Sequence, residues 1–281
     1  MEISANDVKT LRDRTGVQMM KCKAALQEAN GDMEKAIELI RKQNKDASVK
    51  LGSRETAEGR IATYIDPVAK VGAIVEVRCE SAPVAKTDLF VKLAEDLARQ
   101  VALKNPATPE ELLAQPFVDK TSQTVSDRMS EVVGLVRENM KVARMKRLTG
   151  LLGHYIHHDG SVGVLVQVHG DKADDQLLRD ISMHITAKNP TAALREHLPE
   201  DRIAKEKEIA LAQMETDPKT KGKPAAILDK IIEGKLKTWF AENVLVEQPF
   251  VKDDSKTVGE LLKSAGLTMV NFVRYRVGEV S

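Results

Sequence analysis

Between residues 4 and 44 apolar positions recur at helical spacing in three short runs, separated by turn residues. Ser4 with Asp7 three residues on reads as a helix start, Val8 and Leu11 supply the apolar stripe, and Thr15-Gly16 ends the run. The second run spans about Gln18 to Ala29 and stops at Asn30-Gly31, a pair suited to a left-handed helix end. Asp32 caps a third run with Met33, Ala36, Ile37 and Ile40 turned inward. On the second helix Cys22, Ala25, Leu26 and Ala29 share one stripe with Met19 at its edge, whereas Met20 falls well off it. Such a methionine suits either an adaptable contact surface or a helix-end packing role. The spacing predicts a three-helix bundle over 1–45. Over 46–58 charges mix with Gly52 and Ser53 without an apolar period, and a linker or an ill-packed helix is expected.

From Gly59 the pattern shifts to alternation, and it occurs twice. G-R-I-A-T-Y-I-D-P-V-A-K-V-G-A-I-V-E-V from Gly59 matches G-L-L-G-H-Y-I-H-H-D-G-S-V-G-V-L-V-Q-V from Gly150, pairing Tyr64 with Tyr155, Gly72 with Gly163 and Val77 with Val168. Each copy predicts a hairpin that turns near Asp66-Pro67 or Asp159-Gly160. An amphipathic helix follows, carried by Leu89, Leu93, Leu97 and Val101 in copy one and by Leu177, Leu178, Ile181 and Ile185 in copy two, and each ends in Lys-Asn-Pro. Q-P-F-V at 115–118 and 248–251, then Thr124-Val125 and Thr257-Val258, open a second helix, and a basic strand closes each copy. The expectation is an α+β chain: two repeated units, 59–149 and 150–281, each a three-stranded antiparallel sheet with helices on one face. Copy two carries an inserted antiparallel helical hairpin, 199–241, linked by D-P-K-T-K-G-K-P.

One junction stands out. In copy one the strand through Val75, Val77 and Cys79 breaks at Ser81-Ala82-Pro83. Pro83 has no N–H for a sheet and suits the first turn of a helix, and Ser81 has a hydroxyl fit for its N-cap. A stiff corner results, either a plain connection or a contact element.

Composition narrows the function classes. The 281 residues hold 43 Lys plus Arg against 42 acids, a balance that argues against wrapping nucleic acid. One Trp, three Tyr and five Phe are too few for a base-stacking platform. Cys22 and Cys79 form no disulfide framework, no apolar run reaches membrane-spanning length, and M-E-I-S-A-N-D lacks a signal-peptide pattern, so a soluble cytoplasmic protein is the expectation. The phosphate-loop, dinucleotide, nucleophile-elbow and zincin motifs are absent. His154, His157 and His158 cluster in the second hairpin without a Cys or carboxylate partner, so no metal is expected, nor a cofactor or small-molecule ligand. The remaining candidates are a protein-binding chain or an RNA- or ribosome-binding module using Lys141, Arg144, Lys146 and Arg147.

L-R-D-R-T-G-V-Q-M-M-K-C-K-A-A-L-Q-E-A-N-G-D, from Leu11 to Asp32, resembles the amino-terminal signature of bacterial elongation factor Ts. So do Glu76-Val77-x-Cys79 with Val84-Ala85-Lys86, the Tyr155-x-His157 hairpin, Met183-His184, and Q-P-F-V-x-x-x-S-K-T-V-G-E-L-L from Gln248. The resemblance implies a ubiquitin-associated-like bundle, a core of two α+β units and a protruding helical hairpin. It also implies guanine-nucleotide exchange on elongation factor Tu, in its nucleotide-free or GDP form, by protein contact rather than by a catalytic residue set. By resemblance Leu11, Arg12, Thr15, Gly16, Met19 and Met20 would meet the G domain. Ser81, Ala82, Pro83 and Val84 would press towards the magnesium and phosphate site, and Tyr155 and His157 would meet domain 3. Two departures bear on this. The family corner reads T-D-F-V and intrudes with Asp and Phe, whereas this chain has Ser-Ala-Pro-Val, and the carboxy-terminal helix of some relatives is not expected after Glu279. A homologue that binds Tu in a chaperone-like way with weak exchange stays open as an alternative.

Overall fold

The computed structural model describes residues 3–172, 174–216 and 224–279. The bundle comprises α1 (Ala5–Thr15), α2 (Met19–Glu28) and α3 (Met33–Leu51) around Val8, Leu11, Cys22, Leu26 and Ile37. Repeat one follows as β1 (Glu58–Asp66), β2 (Val71–Cys79), α4 (Ala82–Ala85), α5 (Asp88–Lys104), α6 (Pro109–Ala114), β3 (Pro116–Phe117), β4 (Lys120–Thr124), α7 (Val125–Val136) and β5 (Met140–Thr149). Repeat two contains β6 (Leu151–Ile156), β7 (Val162–His169), α8 (Asp175–Lys188), α9 (Glu200–Thr216), α10 (Ala225–Asn243), β8 (Pro249–Phe250), β9 (Asp253–Thr257), α11 (Val258–Ser264) and β10 (Thr268–Arg276). The two antiparallel sheets run β1-β2-β5 and β10-β7-β6.

The helix boundaries follow local chemistry. Ser4 Oγ accepts the Asp7 amide, Gly16 closes α1 at φ +70°, and Asp32 accepts from the Glu34 and Lys35 amides. Asn105 and Asn189, each in the left-handed region, close α5 and α8 at matching points of the two repeats. α3 does not stop at 45 but continues through residue 51. Its far end has support that periodicity alone does not reveal: Lys45 pairs with Asp127 of α7 at 2.6 Å, and Leu51 packs on the core of repeat one.

A second difference concerns the sheet faces. One face of each sheet packs on its helices, with Val75, Val77, Phe90, Leu93 and Leu97 in repeat one and Val164, Val166, Leu178 and Ile181 in repeat two. The other face, which alternation alone leaves to solvent, packs against the sheet of the other repeat. Ile61, Ile74, Leu152 and Leu165 form that seam. Ile61 corresponds to Leu152 and Ile74 to Leu165 at the same offset that relates Tyr64 to Tyr155. The seam is therefore self-complementary, as in a two-fold dimer, although it lies within one chain. Gly72 and Gly163 prove the reciprocity. A Cβ on Gly72 would lie 2.7 Å from Leu152 Cδ1, and one on Gly163 would lie 2.5 Å from Ile61 Cγ2. Thr63 Oγ1 meets His154 Nδ1 at 2.6 Å, again a pair of corresponding positions.

The Q-P-F-V segments form small hairpins, β3-β4 and β8-β9, rather than plain connections. Gln100 donates to Gln115 Oε1 and accepts the Val118 amide. In repeat two His184 replaces Gln100: its Nε2 meets Gln248 Oε1 at 2.9 Å and its Nδ1 accepts the Val251 amide. That bond to Nδ1 fixes the neutral tautomer with the proton on Nε2. Helices α9 and α10 pack together, with Ala210, Met214 and Ile232 buried on them, and Lys235 Nζ donates to Gln213. Trp239 and Phe240 pack at the base of this pair with Leu198 and Val244. The expected link D-P-K-T-K-G-K-P falls largely on residues 217–223, outside the described residues.

Candidate functional site

The corner after β2 is a single helical turn, α4, with Ser81 as N-cap and Pro83 in its first turn. The Ser81 hydroxyl does not cap the helix. It donates instead to Glu138 Oε1 at 2.5 Å, while the Ser81 amide donates to Glu138 Oε2 at 3.0 Å. The bond to this charged acceptor holds the hydroxyl away from the α4 amides whose N–H groups it would otherwise accept. One residue back, Glu80 accepts the Asn139 amide at 2.6 Å and lies 3.5 Å from Arg54 Nη1. Asn139 Nδ2 in turn donates to the Gly52 and Arg54 carbonyls, just past the end of α3. Cys79 Sγ donates to the Ser81 carbonyl, and burial, with the nearby Glu138 charge, pushes its thiol up to about 12. Ala82 and Pro83 are exposed, and Val84 is half-buried against the core of repeat one.

Corresponding elements differ here between the repeats. The offset is 91 at Thr63 and His154 and falls to 84 at Asn105 and Asn189. Copy one thus carries the longer strand-to-helix junction, and α4 has no counterpart among the described residues of copy two.

At the bundle tip Met20 is 75% exposed and Met19 42%, so both side chains face outward from α2. Arg12 is exposed, and Thr15 hydrogen-bonds the Leu11 carbonyl. Leu11 itself is fully buried in the bundle core and supports this surface from beneath. A side chain at Gly16 would lie 3.6 Å from Leu135, so the turn abuts α7.

In repeat two the Tyr155 hydroxyl lies 3.4 Å from His157 Nδ1, and the His157 and His158 rings meet at 4.4 Å. Tyr155 and His157 line an open groove of about 490 Å³ together with Met183, Thr186, Arg274 and Arg276. His154 turns away to Thr63 of the first repeat, so the three histidines do not converge. Of the four cations on β5, Arg144 binds Glu76 and Arg147 donates to the Ala102 carbonyl, so only Lys141 and Lys146 are exposed.

The model of the elongation factor Ts family matches residues 80–279. Elongation factor Ts of Methylococcus capsulatus is 44% identical over 282 residues, spanning 99% of this chain and 93% of that protein. Those of Thioalkalivibrio sulfidiphilus and Clostridium botulinum are 42% and 38% identical at the same coverage. The chain belongs to the elongation factor Ts family. Elongation factor Ts is the nucleotide exchange factor for elongation factor Tu, which places this chain in protein biosynthesis. The matched region begins one residue before Ser81 and takes in the corner, the Tyr155-His157 hairpin and both Q-P-F-V segments. Sequence reasoning missed Glu138 and Asn139. Their only signal is a polar pair ahead of a strand, and nothing local reveals a partner 57 residues away.

Proposed function

We propose that this chain releases GDP from elongation factor Tu in the cytoplasm by pressing the Ser81–Val84 corner against the partner's magnesium and phosphate region. The bundle tip at Arg12, Thr15, Gly16, Met19 and Met20 seats on the G domain, and Tyr155 and His157 seat on domain 3. The observation that carries this reading is the corner itself: an exposed turn without a counterpart among the described residues of repeat two, locked at its first residue by two bonds to Glu138. An exchange factor and a nucleotide that favour different states of one GTPase weaken each other reciprocally. Taking the partner from 1% to 99% in the open state requires a preference of about 5.5 kcal/mol. Several separate contact areas suit that magnitude better than one.

Ala82 and Pro83 lack the carboxylate and ring of the family corner, so the force here comes from backbone, a rigid ring and Val84. That same departure favours a second reading, a Tu-binding homologue with weak exchange. Release of fluorescent GDP from Tu separates the two. Acceleration at saturating chain supports exchange, whereas binding without acceleration supports the second.

A further inference from the structure

We propose that Glu138 is a positioning residue for exchange: it holds the Ser81 corner at a fixed height above the sheet while making no contact with the partner itself. This rests on the reading of the corner given above. Two dipeptides brace each other reciprocally. Glu138 accepts from the Ser81 amide and hydroxyl, and Glu80 accepts from the Asn139 amide. Charge-assisted bonds of this kind are short and directional. A corner hinged only by its own chain would yield when pressed against a partner. One tied through both its backbone amide and its side chain transmits the load to β5 and α7. The Asn139 side chain extends the brace to the Gly52 and Arg54 carbonyls, so the corner and the root of the bundle share one frame.

Repeat two supplies an internal comparison. There Leu267 lies against Gly170 at the end of β7, as Met140 pairs with Cys79 at the end of β2 in repeat one, and both side chains are buried. The apolar closure of the loop against the central strand is thus common to both copies. The carboxylate is an addition to it: two residues before Met140 stands Glu138, whereas two residues before Leu267 stands Ala265. Closure alone is served without that carboxylate in copy two, and Glu138 is present in the copy whose described residues carry the extra turn.

The test compares GDP release from Tu, as a function of chain concentration, for the parent chain, Glu138→Ala, Glu138→Gln and Pro83→Gly. Glu138→Ala should lower the saturated release rate about tenfold or more, as loss of orientation does, and leave the half-saturating concentration within about threefold because binding surfaces elsewhere are intact. Glu138→Gln, which keeps one acceptor oxygen, should recover part of the rate. If Glu138→Ala fails to fold by thermal melting, Ser81→Ala alone and combined with Glu138→Gln carries the test: the effects should be non-additive if the two residues act as one brace. A normal rate for Glu138→Ala beside a slowed Pro83→Gly overturns the positioning role and leaves the corner reading standing. A loss confined to the half-saturating concentration assigns Glu138 to docking and also overturns it. Normal rates for both variants remove the corner reading and this inference with it.

Discussion

Replacing Glu76 by alanine tests whether the two repeats act as one body. Glu76 lies on the central strand of repeat one with its side chain fully buried in the seam between the sheets. Its carboxylate accepts from Arg78 Nε at 2.7 Å, from Arg144 Nε at 2.5 Å and from the Gly278 amide at 3.0 Å, just past β10 of repeat two. Arg144 also donates to the Arg276 carbonyl and lies 4.3 Å above the Tyr275 ring. Removing one member of a fully buried ion pair costs about 3–5 kcal/mol, because a desolvated charge is left behind. Arg78 and Arg144 are 21% and 16% exposed, so both regain some water. Discounting for that screening gives about 2–3 kcal/mol. For a chain of this size each kilocalorie moves Tm by about 2–4 °C, so Glu76→Ala should melt roughly 5–10 °C lower. Glu76→Gln should lose less than Glu76→Ala, about 1–2 kcal/mol: one oxygen still accepts from Arg78 and Gly278, but the charge is gone and the new NH2 faces the Arg144 Nε donor. Repeat two already uses an amide at this position: Gln167 donates to the Thr149 carbonyl at the end of β5. Calorimetry of the three chains decides. A loss under about 1 kcal/mol for Glu76→Ala would show that the arginines rehydrate freely and that the network does not join the repeats.

Two further substitutions follow from the repeat and the bundle. His184→Gln should cost about 1 kcal/mol or less because Gln100 makes the same two bonds in repeat one, whereas His184→Ala should cost about 2–4 kcal/mol by leaving Gln248 and the Val251 amide without a partner. Burial holds the His184 imidazole below its ordinary 6.5, against an opposing bond from Gln248. The unfolded chain therefore binds a proton that the folded chain refuses. Stability should fall as pH drops below about 6.5, by at most ~1.4 kcal/mol per pH unit, and His184→Gln should remove that component in denaturation curves recorded at pH 5 and 7. Met20→Ala should change stability by under about 0.5 kcal/mol, since the side chain is 75% exposed, yet weaken Tu binding measured by calorimetric titration. A large loss of stability would place Met20 in a core instead.

Much of this architecture is legible from pattern. The bundle helices announce themselves through Ser4, Gly16, Asn30-Gly31 and Asp32, each of which acts locally. The repeat is legible because Tyr64 and Tyr155, the Lys-Asn-Pro ends and the Q-P-F-V segments recur in order. What pattern withholds is long-range. Glu76 alternates with Val75 and Val77 and so reads as solvent-facing, and only the second sheet makes it a buried counter-ion. The continuation of α3 depends on Lys45 meeting Asp127, and the Ser81 hydroxyl leaves its helix because Glu138 approaches from another element. The equivalence of Gln100 and His184 is hidden because an amide and a neutral imidazole share a donor and an acceptor but no sequence identity. The corner is legible as a junction, yet its singularity appears only when the two copies are compared residue by residue.

The proposed exchange requires that a corner without the family's acidic and aromatic side chains still opens elongation factor Tu. The most direct measurement is the rate of fluorescent GDP release from Tu at saturating chain, for the parent and for the double substitution Ala82→Asp with Pro83→Phe. Strong acceleration by the parent is expected, with little further gain from the double substitution if backbone, Pro83 and Val84 already fill the contact. No acceleration by the parent, with a large gain from the substituted corner, would contradict it.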